Sequence, residues 1–390
     1  MPPATRLPRL VYILGWISLF MDLSTEAMYS ILPAFMAGVL GLSASEIGWV
    51  LGLGELTATA LQRLSGQLSD RWKNRRDLIL IGYGLSALSK PLFALATGLG
   101  GILFAQISDR CGKGLRGAPR NAMLAAHVPP AQRGAAFGLR QGMDTIGALL
   151  GPLLMMLMLT EHLSVRLALG LCVLPALICV LLIRSALPAD PLPRPVAAPV
   201  RAPATPTGTA FRRLLLITAG LSLARFSESF LILDLHDQGL GLAHLPWLMV
   251  LMNGVYAVLA LPAGRLSDRW PRRHLLAASV LVLLLAELLL AICHGRQVLW
   301  LAGALWGLHL ALSQGVLQAL VADHSPADQQ GRAFGSYALV QGGSLLLGNL
   351  LLGELIDHVG WSLAMFSAAF WAALTLLLIL RYAHLMTPPQ

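Results

Sequence analysis

The stretch Gly66-Gln-Leu-Ser-Asp70-Arg71-Trp72 ends one long apolar run and opens a basic segment that includes Lys73, Arg75 and Arg76. It returns as Gly264-Arg-Leu-Ser-Asp268-Arg269-Trp270, again between an apolar run and the basic residues Arg272 and Arg273. The two copies lie about half a chain apart in a sequence of 390 residues. The chain therefore reads as two halves built on one plan. In a membrane, two equivalent halves offer a way to expose one site to each side in turn. Transport, rather than catalysis, is the first expectation.

Composition points to a membrane as the main solvent. Hydrophobic residues make up 56% of the chain and charged residues 12%, against roughly 25% charged in ordinary soluble domains. Mean hydropathy is +0.70. Twelve apolar runs stand out, each near the roughly 20 residues needed to cross a bilayer core. They cover about 10–40, 47–68, 78–98, 101–126, 135–159, 163–182, 214–235, 245–266, 275–293, 298–321, 333–356 and 361–380. Runs this long and continuous satisfy their backbone in lipid only as helices, which predicts an all-α integral membrane protein with twelve spans in two pseudo-symmetric six-helix bundles.

The net charge of +9 is distributed as a topology signal, not as a nucleic-acid footprint. Arg6 and Arg9 precede the first run, and Arg71, Lys73, Arg75 and Arg76 follow the second. Arg133 follows the fourth, and Arg184, Arg194, Arg201, Arg212 and Arg213 surround the centre. Arg269, Arg272 and Arg273 follow the eighth, Arg332 the tenth and Arg381 the last. The alternate loops offer little beyond Arg166 and Arg296, so the positive-inside rule expects both termini in the cytoplasm of a cell bounded by this membrane.

The first run is too long for a secretory leader, holds Asp22 and Glu26, and lacks a small-residue cleavage pattern, so it is expected to stay in the mature chain. Seven prolines between Pro188 and Pro206 mark an extended cytoplasmic linker. The expected organisation is a bundle over 1–187, a linker over 188–212 and a second bundle over 213–390. Cys111, Cys172, Cys179 and Cys293 all fall in apolar runs without a CxxC pair, and read as small buried residues.

The six-plus-six plan, the central linker and the repeated Gly-x-Leu-Ser-Asp-Arg signature resemble the major facilitator superfamily over essentially the whole chain. Further repeats agree: Gly134-Ala-Ala-Phe137-Gly138 matches Gly331-Arg-Ala-Phe334-Gly335, and Ser24-Thr-Glu26 is similar to Phe226-Ser-Glu228. The resemblance implies a cytoplasmic gate formed by Gly66, Asp70, Arg71, Arg75 and Arg76 with Gly264, Asp268 and Arg269. Asp70 is then expected near Gly331 to Gly335, and Asp268 near Gly134 to Gly138, each beside a helix start. An anion there contributes roughly 0.3–1 kcal/mol when exposed, and up to about 2 when partly buried. Lys73-Asn74 and Pro271 depart from the family pattern and leave the loop conformations open. In the fifth run, Gly138, Gly147, Gly151 and Pro152 resemble a signature of proton-driven exporters, although Leu153 to Met156 replace its trailing glycines.

Ionisable residues at membrane depth carry the chemistry, because leaving one unpaired in hydrocarbon costs at least about 2.5–3.5 kcal/mol. Asp22, Glu26, Glu55, Asp109 and Asp144 are the candidates for proton coupling. Arg110, Lys113, Arg116, Arg120, Arg140 and Glu228 are the candidates for holding substrate or balancing charge, with Arg63 and Lys90 also in the first half and chiefly Arg225 and Asp234 beside Glu228 in the second. At about 100° per residue, Arg110, Lys113, Arg116 and Arg120 fall within a roughly 120° sector, so one face of the fourth span is basic and is expected to avoid lipid. Asp22 and Glu26 share a helix face, where repulsion opposes ionising both. Arg140 and Asp144 have the spacing of a neutralising pair. A purely structural ion-pair network remains the alternative for the whole cluster.

His309 reads as a packing or hydrogen-bonding partner, and the remaining histidines form no cluster for a metal. Gln141, Gln314, Gln318 and Gln341 with Trp300, Trp306 and Met252 are candidate cavity residues, or plain packing. The run from Asp109 to Arg120 looks like a group of prokaryotic permeases similar to drug, siderophore and nickel-resistance exporters. The expected function is export of a small organic molecule coupled to inward proton flow, with organic-anion transport as the alternative. A proton gradient is the expected energy source, with no cofactor, no nucleic acid, and a monomer in the cell membrane. His-Glu-x-x-His and Gly-x-Ser-x-Gly patterns are absent, which makes a membrane-embedded enzyme the remote reading.

Overall fold

The computed structural model of the protein describes residues 7–69, 74–129, 132–189, 208–267, 270–325 and 330–382. The linker prolines from Pro191 to Pro206, and Asp70, Arg71, Asp268 and Arg269 of the expected gate, lie outside the described residues. The described residues are helical throughout, with no strand among them.

The helices are α1 Arg9–Tyr29, α2 Leu32–Gly38, α3 Ala44–Ser69, α4 Arg75–Leu95, α5 Leu99–His127, α6 Arg133–Thr160, α7 Val165–Leu171 and α8 Val173–Ala186. They continue as α9 Thr209–Ala224, α10 Ser229–Asp237, α11 Pro246–Ser267, α12 Arg272–Ile292, α13 Arg296–Asp323, α14 Gln330–Val359 and α15 Trp361–Arg381. Three expected spans are each broken in two, giving α1–α2, α7–α8 and α9–α10, and the twelve spans are otherwise those of the apolar runs. Ten of them are long and apolar enough to cross a membrane on composition alone. The other two, α3 and α5, are 26 and 29 residues long.

Each break has a local cause or a partner. Pro33 lacks the N–H that would bond Tyr29, so the ladder lapses between α1 and α2. The break at Cys172 exposes a carbonyl that accepts a 2.6 Å hydrogen bond from the Ser24 hydroxyl of α1. At the α9–α10 break, the backbone N–H of Ser227 donates to Asn349 Oδ1 of α14 at 2.8 Å. Buried backbone groups freed by a broken helix are thus met by side chains of neighbouring helices, as hydrocarbon surroundings demand.

The described chain packs as two compact units: Met1–Leu32 with Thr57–Val196, and Pro33–Leu56 with Ala197–Gln390. In the first, α1 packs on α6 and α8, and α4 on α5, around Leu14, Ile17, Met21, Ile79, Tyr83 and Met123. In the second, α13 packs on α11 and α12, α15 on α12, and α9 on α14 and α15. The first half of α3 joins this second unit through a close approach to α14. A Cβ at Gly48 would lie 2.5 Å from the carbonyl oxygen of Asn349, and one at Gly353 would lie 2.5 Å from that of Ala44. The start of α3 is capped twice. Ser43 and Glu46 bond reciprocally at 2.9 and 3.3 Å, and both carboxylate oxygens of Asp357 accept from the N–H groups of Ala44 and Ser45 at 2.9 and 2.8 Å.

Large apolar side chains remain on the outside, among them Leu95 at 73% and Val258 at 72% exposure. Such a surface is stable only against lipid.

Candidate functional site

The first unit gathers buried charge along α5. Asp109 is 2% exposed and pairs with the wholly buried Lys90 of α4 at 3.0 Å. The same carboxylate accepts from Ser89 at 3.3 Å and from Tyr29 of α1 at 3.4 Å, and Lys90 also donates to Thr25 at 3.2 Å. Tyr29 donates to Gln106 at 2.7 Å, and the guanidinium of Arg110 stacks over its ring at 4.6 Å. With this many partners the Lys90–Asp109 pair meets the conditions under which a buried ion pair is tolerated.

About two and three turns further along α5 lie Arg116 and Arg120. Arg116 donates to Ser86 at 2.5 Å and stacks over the Tyr83 ring at 4.7 Å. Arg120 donates to Ser18 of α1 at 3.0 Å and to the Tyr83 hydroxyl at 2.9 Å. These arginines hold to hydroxyls and a ring rather than to a carboxylate at bonding distance. Asp22 of α1 is close enough to both to feel their charge, and also to feel that of Asp144 and Glu26.

The α6 glycines determine how α1 presents its acids. A Cβ at Gly147 would stand 2.5 Å from the carbonyl oxygen of Leu19 and 3.1 Å from Cβ of Asp22. At Gly151 it would stand 2.7 Å from the N of Ala27 and 3.0 Å from Cβ of Glu26. Two members of the exporter-like signature therefore seat α6 against α1 at the levels of Asp22 and Glu26. Pro152 is buried inside α6, while Gly138 has open space around it. On the same helix Arg140 pairs with Asp144 at 2.5 Å, as the spacing predicted.

The structure thus brings together Asp22, Glu26, Asp109, Asp144, Arg110, Arg116, Arg120 and Arg140 in one unit. Glu55 is half-buried on the part of α3 that packs in the second unit, where Glu228 is also half-buried, at the start of α10. Lys113 corrects the expectation of a uniformly sheltered basic face, because it is exposed while Arg110 and Arg116 are buried. Lys113 lies inside the sector, between Arg120 and Arg110, so shared angular position alone does not bury a side chain along a 29-residue helix. Of the described gate residues, Arg76 donates to the carbonyl of Arg184 at 2.5 Å, Gly66 faces Ala118 and Gly264 faces open space. Cysteine burial also needs a correction: Cys172 and Cys179 are buried, but Cys293 ends α12 at a cavity and is exposed. Trp306 and Met252 are core residues, and His309 meets the carbonyl of Ser279 at 2.9 Å. No cluster able to hold a metal occurs among the described residues.

Sequence reasoning named Lys90 but missed the polar partners around it on α4. Tyr83 and Ser86 recur with Lys90 at helical spacing, a polar stripe that could have placed this face against the charges of α5. It also missed Glu287 of α12, which is fully buried.

The described residues form twelve spans, with a buried charge network in the first unit. The model of the Major Facilitator Superfamily matches residues 14–243 and 214–390, and the chain belongs to that family. It is 31% identical over 359 residues to an uncharacterized MFS-type transporter of Methanocaldococcus jannaschii, covering 88% of each chain. It is 28% identical over 338 residues to the multidrug resistance protein MdtH of Aeromonas hydrophila, covering 82% of this chain and 79% of that one. Among solved structures, a POT family transporter in complex with 5-aminolevulinic acid superposes with a TM-score of 0.83 at 12% identity, over 97% of each chain. That likeness is one of fold. The protein is a multi-pass membrane transporter and not an enzyme.

Proposed function

We propose that the protein exports a small organic molecule in exchange for protons, and that Asp22 and Glu26 of α1 carry the exchangeable proton. The observation that carries this reading is the position of these two acids. They are half-buried, seated against Gly147 and Gly151 of α6, and Asp22 lies within reach of Arg116 and Arg120, which have no carboxylate at bonding distance among the described residues, and of Glu26 itself. Asp109 and Asp144 are engaged by Lys90 and Arg140. An acid beside cations that are otherwise bound only to hydroxyls can lose its proton and be compensated at once. When it regains the proton, the arginines are released to other anions or to a changed helix packing. The kinship to multidrug resistance proteins supports export.

A second reading, transport of an organic anion, is favoured by Arg116 and Arg120, whose hydrogen bonds among the described residues are to hydroxyls. In either reading the loop charges support cytoplasmic termini in the cell membrane, and Asp70 and Asp268 serve as inner latches of a monomeric carrier. Proton release from purified, weakly buffered protein on addition of cationic, neutral and anionic compounds tests the coupling. Export by exchange expects release with a cation or neutral compound, lost in Asp22→Asn or Glu26→Gln. Facilitated flux without any proton signal contradicts it.

A further inference from the structure

Glu287 stands alone in an apolar run of α12, Leu283-Leu-Leu-Ala-Glu287-Leu. Its exposure is 0%, and neither carboxyl oxygen has a hydrogen-bond partner among the described residues. The helices packed on α12 are α13 and α15. Their titratable groups are Arg296, His309 and Asp323 on α13 and Arg381 at the end of α15, while α12 itself holds Arg272, Arg273 and His274 in its first turn. No charge among the described residues acts on the Glu287 carboxyl. His309 is tied to Ser279, which lies about 12 Å along α12 from Glu287 at 1.5 Å per residue, beyond direct contact along the shared face. A carboxylate in such surroundings has nothing to stabilise its charge, so the group is a neutral acid holding a proton.

A route to that proton lies one turn away. A cavity of about 450 Å³ opens between the ends of α10, α12 and α14 and the starts of α13 and α15, lined by Asp234, Leu290, His294, Leu299, Trp361 and Ser362 among others. Leu290 is 6% exposed and three residues on from Glu287, so it covers the same buried face of α12 and separates the acid from the cavity. Asp234 and His294, both able to pass protons, stand on the cavity wall.

We propose that Glu287 is a proton-binding site of the second unit, filled and emptied from this cavity when the α12, α13 and α15 packing loosens beside Leu290. It is separate from Asp22 and Glu26, and its existence does not depend on whether those residues drive transport. Releasing its proton puts a charge among apolar side chains, so the released state requires water to enter between these helices. The occupied state holds them closed.

The test is infrared spectroscopy of the full-length protein in lipid vesicles. At neutral pH the wild type is expected to show a protonated-carboxyl stretch that Glu287→Gln lacks and that Glu287→Asp shifts. After transfer to heavy water the band is expected to move as the proton exchanges, and several-fold faster in Leu290→Ala. A spectrum of Glu287→Gln with no band missing overturns the proposal, because Glu287 is then ionised. A band that never exchanges, or exchanges at the same rate in Leu290→Ala, overturns it too, leaving a purely structural acid. Should Glu287→Gln fail to fold, Glu287→Asp decides the protonation state instead: a shifted band supports a neutral acid, and an unshifted spectrum overturns it. Loss of substrate-dependent proton release in Glu26→Gln with the Glu287 band unchanged separates this site from the exchange reaction.

Discussion

Lys90 and Asp109, 3.0 Å apart and both shielded, are held by Ser89 of α4 and by Thr25 and Tyr29 of α1. Removing one charge leaves the other buried and uncompensated, which typically destabilises by about 3–5 kcal/mol. Lys90→Met is therefore expected to lower the thermal midpoint of the purified protein sharply, and Lys90→Met with Asp109→Leu to restore most of it. A double variant no more stable than the single would show that the surrounding hydroxyls, not the pair, set the stability. The pair was not legible in the sequence, because its partners sit on different helices and no spacing rule links them. Arg140 and Asp144 were legible, since a four-residue spacing fixes neighbours on one helix. Glu287 was passed over for the opposite reason: a single acid among leucines has no pattern, and only its burial makes it informative.

At the scale of the helix, small residues decide which faces meet. Gly147→Val adds atoms where a Cβ already falls 2.5 Å from a carbonyl oxygen of α1, and overpacking of this kind costs about 1–3 kcal/mol. The variant is expected to reach the membrane in reduced amount and to transport poorly even when corrected for amount. Gly138→Ala meets open space and is expected to be close to neutral in the same assay. Transport by Gly147→Val at the wild-type rate would show that the α1–α6 contact does not seat the acids. Asp357 provides a second case, since its carboxylate accepts from two N–H groups at the start of α3. Loss of a cap costs about 0.5–2 kcal/mol. Asp357→Ala is expected to raise amide hydrogen exchange in the first turn of α3 while leaving α5 unchanged. Unchanged exchange at Ala44 and Ser45 would mean that Ser43 and Glu46 suffice as the cap. The helix positions themselves were largely readable, because each apolar run had to span a bilayer. The break between Arg225 and Glu228 was not, since no proline or glycine lies there and it is met by a side chain from a distant helix, whereas the one at Cys172 sits between Gly170 and Pro175, whose missing N–H leaves Leu171 without its helical partner, a signal that went unread.

For the whole molecule, the repeated Gly-x-Leu-Ser-Asp-Arg phrase made the twelve-span plan and the family legible, since one phrase closing an apolar run in each half implies a duplicated bundle. It said little about the working site. The units differ in charge: the first gathers four acids and four arginines on α1, α5 and α6, whereas the second has Glu55, Glu228 and Asp234, half-buried and spread over two elements, and the fully buried Glu287. A duplicated scaffold with unequal charge suits a carrier in which both units share the motion while one does most of the exchange chemistry. The most direct test of that account is substrate accumulation by purified protein in vesicles with an acidic interior, measured for the wild type and for Glu26→Gln. The account predicts accumulation against the substrate gradient by the wild type, and in Glu26→Gln only equilibration, with substrate exchange retained. Accumulation by Glu26→Gln at the wild-type level, or by the wild type only when the interior is alkaline, would contradict it.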